Sequence, residues 1–177
     1  MRISLMLPVL LALSAARLAA QDAPRFEVAA GYAFLHDQDS SYNFPGGWTV
    51  SAAAGVTRWL DAVAEGGASY KTLSIPGDAP KFSVYDLMGG PRARLARAGR
   101  FSFLAQVLFG VARATTTVVG VSETATDFAY QPGGGIDIAI APHLNARLAG
   151  DYRVIRVAGQ NSKESRFVTA AVLGIGK

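Results

Sequence analysis

The sequence contains no cysteine, so neither a disulfide framework nor a thiolate metal site is available to it. Histidine is almost as scarce: His36 and His143 are the only two. Charge is thin as well, at 17% of residues, against about a quarter in an ordinary soluble domain. The formal charge is +4, but Arg2 and Arg17 lie in a segment expected to be removed, which leaves about +2. So even a balance argues against a nucleic-acid partner. Beyond the N-terminus, no apolar run approaches the roughly 18 to 20 residues that a membrane-spanning helix needs.

What the chain does have is grease and glycine. Half of its 177 residues are hydrophobic and 19 are glycine. The length suits one domain. Arg2, the apolar run Ile3 to Leu13 broken by Pro8, and the small Ala19 and Ala20 before Gln21-Asp22-Ala23-Pro24 have the layout of a signal peptide. Residues 1–20 are therefore expected to be a cleaved signal and residues 21–177 the mature domain. Cleavage after Ala16 is an alternative, because Arg17 lies close to the cut. An uncleaved anchor is the competing reading, with a run short for a span.

Downstream, apolar residues recur with a period of two, the period of a strand. Eight segments show it, at about 26–34, 48–57, 60–71, 85–94, 101–111, 128–140, 144–154 and 166–176. Each is close to the ~9 to 11 residues that a tilted strand needs to cross a bilayer. Short turns are expected at Arg58-Trp59, Ala96 to Gly99 and Ala141 to His143. Longer polar links are expected at His36 to Gly47, Ser74 to Pro80, Ala114 to Thr124 and Ala158 to Ser165. Short periplasmic turns and longer external loops are the habit of outer-membrane barrels. The fold class that follows is all-β: an eight-stranded antiparallel up-and-down transmembrane β-barrel.

A soluble barrel would alternate too, so orientation decides the matter. One face of the segments is mostly Gly, Ala, Ser and Thr, whereas a water-facing exterior is usually dense in Lys and Glu. The other face carries aromatics near segment ends, among them Phe26, Trp48, Tyr85, Phe101, Phe128, Tyr152 and Phe167, as membrane-interface girdles do. The small face then fills a narrow interior, and the charges on it must pair there. Glu27, Asp61, Glu65, Asp86, Asp137 and Asp151 are expected to neutralise Lys71, Arg92, Arg94, Arg147 and Arg153, giving a lumen plugged by ion pairs. A narrow ion pathway through the same groups is the alternative.

Gly31-Tyr32, Gly47-Trp48-Thr49-Val50-Ser51, Thr57-Arg58-Trp59-Leu60, Gly89-Gly90-Pro91-Arg92 and Gly133-Gly134-Gly135-Ile136-Asp137 together make the chain resemble the OmpA-like outer-membrane β-barrel domain, from about Arg25 to Gly176. The resemblance implies a monomeric barrel in outer-membrane lipid, delivered by the secretion and barrel-assembly machinery. Roles in that family include envelope integrity, adhesion and small conductance. Family barrels usually end in an aromatic residue, whereas Leu173-Gly174-Ile175-Gly176-Lys177 does not.

Chemistry finds little footing. Some small outer-membrane barrels act on lipid acyl chains, and that needs a nucleophile and base held at the outer surface. Only His36, Asp37, Asp39, Ser40 and Ser41 could supply them here, and Asp- and Ser-rich loops are ordinarily turn-forming and solvated. His143 follows Pro142 in a turn away from any Ser or carboxylate cluster. Asp37 and Asp39 are too few ligands for calcium. Gly133-Gly134-Gly135 lacks the Lys-Ser/Thr of a phosphate loop and suits a close inward approach in a strand. The expectation is a non-enzymatic barrel without metal or cofactor, structural or surface-interacting. A narrow channel, a lipid-modifying enzyme and a soluble ligand-binding barrel are the alternatives.

Overall fold

The computed structural model describes residues 26–72, 81–118, 121–157 and 160–175, all of them strand or tight turn apart from Pro45. The expected signal peptide, the link Ser74 to Pro80 and the terminal Gly176-Lys177 lie outside the described residues. Antiparallel strands run in chain order: β1 (Phe26–Asp37), β2 (Tyr42–Phe44), β3 (Gly46–Gly55), β4 (Leu60–Thr72), β5 (Lys81–Ala98), β6 (Phe101–Val118), β7 (Val121–Ala141), β8 (Leu144–Val157) and β9 (Gln160–Ile175). β2 and β3 are one barrel strand interrupted at Pro45, and both pair with β1. β1 also pairs with β9 along its whole length, from Phe26↔Ile175 to Asp37↔Glu164. The sheet is closed, with eight strands.

The register gives the barrel its dimensions. Following the register round the sheet from Glu27 leads through Ala53, Val63, Gly90, Leu108, Gln131, Arg153 and Glu164 to Asp37, the steps from Gly90 and from Gln131 being fixed by the pairs on either side. The path returns to β1 ten residues beyond its start. With standard strand rise and spacing, that stagger over eight strands tilts them by about 40° and sets a backbone radius of about 8 Å. An interior so narrow holds side chains and little else.

Alternation sorts the side chains as the sequence implies. Phe101, Phe103, Val107, Phe109 and Val111 of β6 are outward and exposed, while Leu104, Leu108 and Ala112 between them are buried. The interior is less uniformly small and polar than expected, however. Val63, Met88, Leu108 and Ile155 form an apolar lining over part of the wall, and Leu35, Phe44 and Val84 form a second cluster backed by Phe82.

Two of the expected long links are strand instead. β6 runs to Val118 and β7 restarts at Val121, so Ala114 to Val118 and Val121 to Ala125 pair as a ribbon; β8 runs to Val157 and β9 from Gln160. Polar composition suggested loops, but Thr115, Thr116, Thr117, Thr124 and Thr126 are β-branched and favour the pleat. Thr115 faces Thr124 at 3.2 Å between hydroxyls, and Thr117 faces Ser122 at 2.9 Å. β6 and β7, at 18 and 21 residues, exceed the ~9 to 11 needed to cross the membrane and project beyond it on the side of the longer connections. The opposite side has tight turns, and the one at Gly99 uses a φ of 60°.

Glycine matters most where a neighbouring strand comes close. A methyl group at Gly110 would meet the Leu87 carbonyl and the Met88 backbone, whereas one at the outward Gly66 would find its nearest atom at 3.7 Å. Gly110→Ala is expected to cost about 1 to 3 kcal/mol, as overpacking does, and Gly66→Ala much less. Urea unfolding of the two refolded variants checks the contrast.

Candidate functional site: the charged lumen

Every Asp and Glu within a described strand shares the inward alternation of its buried neighbours, and the barrel offers them arginines. On the side of the tight turns, Glu27 at the start of β1 receives guanidinium groups from β5 and β8. Arg92 pairs with it at close range, Arg147 lies at 2.9 Å and Arg94 at 3.3 Å. Arg147 also grips Asp137, its directly opposed residue on β7, by two parallel hydrogen bonds of 2.7 and 2.8 Å. Arg94 donates to Asp61 at 2.9 Å. Three carboxylates and three arginines balance here.

Towards the opposite end, a second group is built on Arg153 and Arg166. Arg166 pairs with Glu65 at close range and with Asp151 at 2.9 Å; Arg153 reaches Asp86 at 3.0 Å and Glu164 at 3.5 Å. Four carboxylates share two arginines. Two glutamine amides supply further donors to them. Gln131 donates to Glu65 at 3.2 Å while accepting from Arg153 at 2.9 Å. Gln106 donates to Asp151 at 3.1 Å and accepts from Arg92 at 3.0 Å, which joins the two groups into one network. Burial of these charges is extreme: Arg153 is 0% and Arg166 2% exposed. Charges so enclosed persist only when paired and hydrogen-bonded.

Of the residues singled out in the sequence, Glu27, Asp61, Glu65, Asp86, Arg92, Arg94, Asp137, Arg147, Asp151 and Arg153 are brought together in these groups. Lys71 is not. Its ammonium sits 3.7 Å above the Tyr42 ring, a cation–π contact near the outer mouth, and pairs with no carboxylate among the described residues. Arg166 and Glu164 were missed because the last connection was drawn as far as Ser165. Gln106 and Gln131 were missed because pairing was sought among full charges only. Alternation within strands drawn to their true length finds all four.

The lumen contains a small cavity of about 20 Å³, lined by Glu65, Arg92, Gln106, Arg147, Asp151 and small neighbours. That is room for about one water. In the first external turn, Asp37 accepts hydrogen bonds from the Asp39 and Ser40 backbone amides at 2.9 and 3.3 Å, and His36 Nδ1 lies 2.7 Å from Asn43 Oδ1. Asp37 thus caps its own turn. Among the described residues, no group of three or more His, Asp or Glu could hold a metal ion.

A closed eight-stranded barrel with an apolar, aromatic-banded exterior and a charged interior defines an integral membrane barrel. The chain matches the outer membrane protein beta-barrel domain over residues 5–176 and belongs to that family. Its place is the Gram-negative outer membrane, in contact with lipid. Solved structures with the same fold include Neisserial surface protein A (12% identity, 85% of this chain and 96% of that one, TM-score 0.69). Ail, the attachment invasion locus protein of Yersinia pestis, is another (13% identity, 86% and 99%, TM-score 0.62). The N-terminal β-barrel domain of Pseudomonas aeruginosa OprF is a third (7% identity, 86% and 100%, TM-score 0.59). No curated protein matches the chain in sequence.

Removing one partner of a buried pair leaves the other uncompensated and costs about 3 to 5 kcal/mol. Arg147→Ala is expected to fall in that range, and adding Asp137→Ala to it should cost much less than Asp137→Ala alone. Lys71→Ala is expected to cost no more than about 1 kcal/mol. Urea midpoints and the fraction of compact band on unheated gels measure all three.

Proposed function

We propose that this protein is a non-catalytic outer-membrane barrel with a structural or surface-interaction role, and that its lumen is closed by ion pairs. One observation carries the reading: Gln106 links the two arginine–carboxylate groups into a single hydrogen-bonded network through the interior, beside a cavity of only about 20 Å³. A solute following the axis has to break charged hydrogen bonds in a confined space, where each is worth roughly twice a neutral one. The apolar cluster of Leu35, Phe44 and Val84 adds a dry constriction. With the interior shut, the parts left to meet a partner are the lipid-facing wall and the projecting β6–β7 ribbon.

The reading includes a mature domain of residues 21–177 released from the signal at 1–20, insertion by the barrel-assembly machinery, and a monomeric state. The absence of catalysis rests on His36 being engaged with Asn43, and on Asp37 accepting the Ser40 hydroxyl and the Asp39 amide within its own turn, with no histidine–serine hydrogen bond among the described residues.

Planar-bilayer recording on the refolded barrel tests the closed lumen. Silence under applied voltage is expected. Steady single-channel conductance would overturn the reading and favour a narrow channel through the same charged residues.

A further inference from the structure

Of the carboxylates in the buried network, Glu164 has the most distant partner. It is 5% exposed, and its contact with Arg153, its directly opposed residue on β8, is 3.5 Å long. Arg153 lies nearer to Asp86, at 3.0 Å, and Arg166, two residues along β9, is held by Glu65 and Asp151. On its other flank Glu164 stands directly opposite Asp37 of β1. The two carboxylates share the inward face of the seam, where opposed β-carbons come within about 5 Å and like charges repel.

The other charges at this end of the lumen do not relieve the pair. Lys71, inward on β4, is seated over the Tyr42 ring of β2. Glu123 and Asp127, inward on β7, add negative charge at the mouth. Asp37 is already committed as an acceptor, to the amide hydrogens of Asp39 and Ser40 and to the Ser40 hydroxyl. A carboxylate fills that role, so the proton that relieves the pair belongs on Glu164. Glu164 lies three residues beyond the outward Phe167, outside the lipid-spanning part of β9. Burial pushes its carboxyl above the ordinary range; Arg153 and Arg166 oppose that shift, and Asp37 and Asp86 add to it.

The pair sits where the first external turn is fastened to β9. Gln38 donates its backbone amide hydrogen to the Lys163 carbonyl at 2.9 Å and its side-chain amide hydrogen to Ser165 Oγ at 2.8 Å. The Lys163 amide donates to Asp39 Oδ2 at 3.0 Å. These bonds straddle Glu164. Ser41 closes the turn at a φ of 56°, in the left-handed region that a β-carbon disfavours, so the turn depends on its fastening. Just beyond it, β2 places Phe44 with Leu35 and Val84 in the apolar cluster that narrows the external mouth.

We propose that Glu164 is a proton-operated latch for this turn. Protonated, it donates a hydrogen bond to Asp37 across the seam. Once the proton leaves to solvent, the two carboxylates repel and the turn loosens from β9. The fastened turn binds the proton more tightly than the loosened one, so fastening is favoured at low pH and weakens as pH rises through the Glu164 titration. The latch does not depend on whether the lumen conducts, so bilayer recording and the test below fail independently.

Hydrogen-exchange mass spectrometry on the refolded barrel, corrected for intrinsic exchange rates, follows the segment from His36 to Phe44. Its protection in the wild type is expected to fall about tenfold or more from mildly acidic to alkaline pH, since one pK unit of coupling amounts to a factor of ten. Glu164→Gln cannot ionise and offers Asp37 an amide hydrogen, so its protection should stay high throughout. The tight turn at 56–60 on the opposite rim should show no such trend in either protein. A compact band on unheated gels verifies that Glu164→Gln folds. Should it not fold, the Glu164 carboxyl carbon resonance in isotope-labelled wild type decides, and it should reach the carboxylate position only above the range of an ordinary glutamate. Wild-type protection independent of pH, an equal fall in Glu164→Gln, or a fall of the same size at the opposite rim overturns the latch. So does a Glu164 resonance that titrates like an ordinary glutamate.

Discussion

Closure of the sheet governs everything else in this molecule. Hydrocarbon offers a backbone amide no partner, and each unsatisfied group there costs several kcal/mol. The β1–β9 seam removes the two edges that an open sheet would expose, in unbroken register over twelve residue pairs. Pro91 and Pro132 lack an amide hydrogen, yet the pairs on either side of each keep the same register; the shifts in these two ladders fall instead at Arg94/Ala96 and Ala139/Ala141, near the tight turns. Once the sheet is closed with a stagger of ten residues, its radius is set, and the radius determines what the interior can be.

In a barrel so narrow, inward side chains meet across the axis, and partners far apart in sequence come into contact. Arg147 and Glu27 are separated by 120 residues and lie 2.9 Å apart. A charge in that space has room for about one water beside it, so the network is less a decoration of the lumen than a condition for having charges there at all. The glutamines show this well. The second group holds more carboxylates than arginines, and Gln106 and Gln131 each present an amide hydrogen to a carboxylate and a carbonyl to a guanidinium. A residue with both a donor and an acceptor closes gaps that a full charge would leave unbalanced.

The fold was legible because lipid outside and charge inside sharpen the period of two, and β6 declares it with phenylalanines and valines on one side. Legibility failed where strands leave the membrane. Beyond the aromatic rows neither face has to be apolar, so the Thr-rich stretch at 115–126 loses the alternation and takes on the composition of a loop, although it pairs residue for residue. That error carried into the site: ending the last link at Ser165 cut Glu164 from the last strand and left Arg166 as its first residue, outside the inward set. Lys71 failed differently. It shares the inward alternation of Glu65, but sits near the mouth, where an aromatic ring was closer to hand than a carboxylate.

Net charge conceals what the barrel does with its charges. The whole chain is close to neutral, with 17 basic and 13 acidic residues, and by composition alone it has no electrostatic character. Folded, it separates them: seven carboxylates and five arginines share one network inside, and the charged residues on the outward alternation of the described strands are cations. The two placements have different causes. Inside, pairing is enforced by the low dielectric of a sealed space, and either sign is acceptable provided its partner is present. Outside, beyond the aromatic row, headgroups and water solvate a long cationic side chain without a partner from the protein.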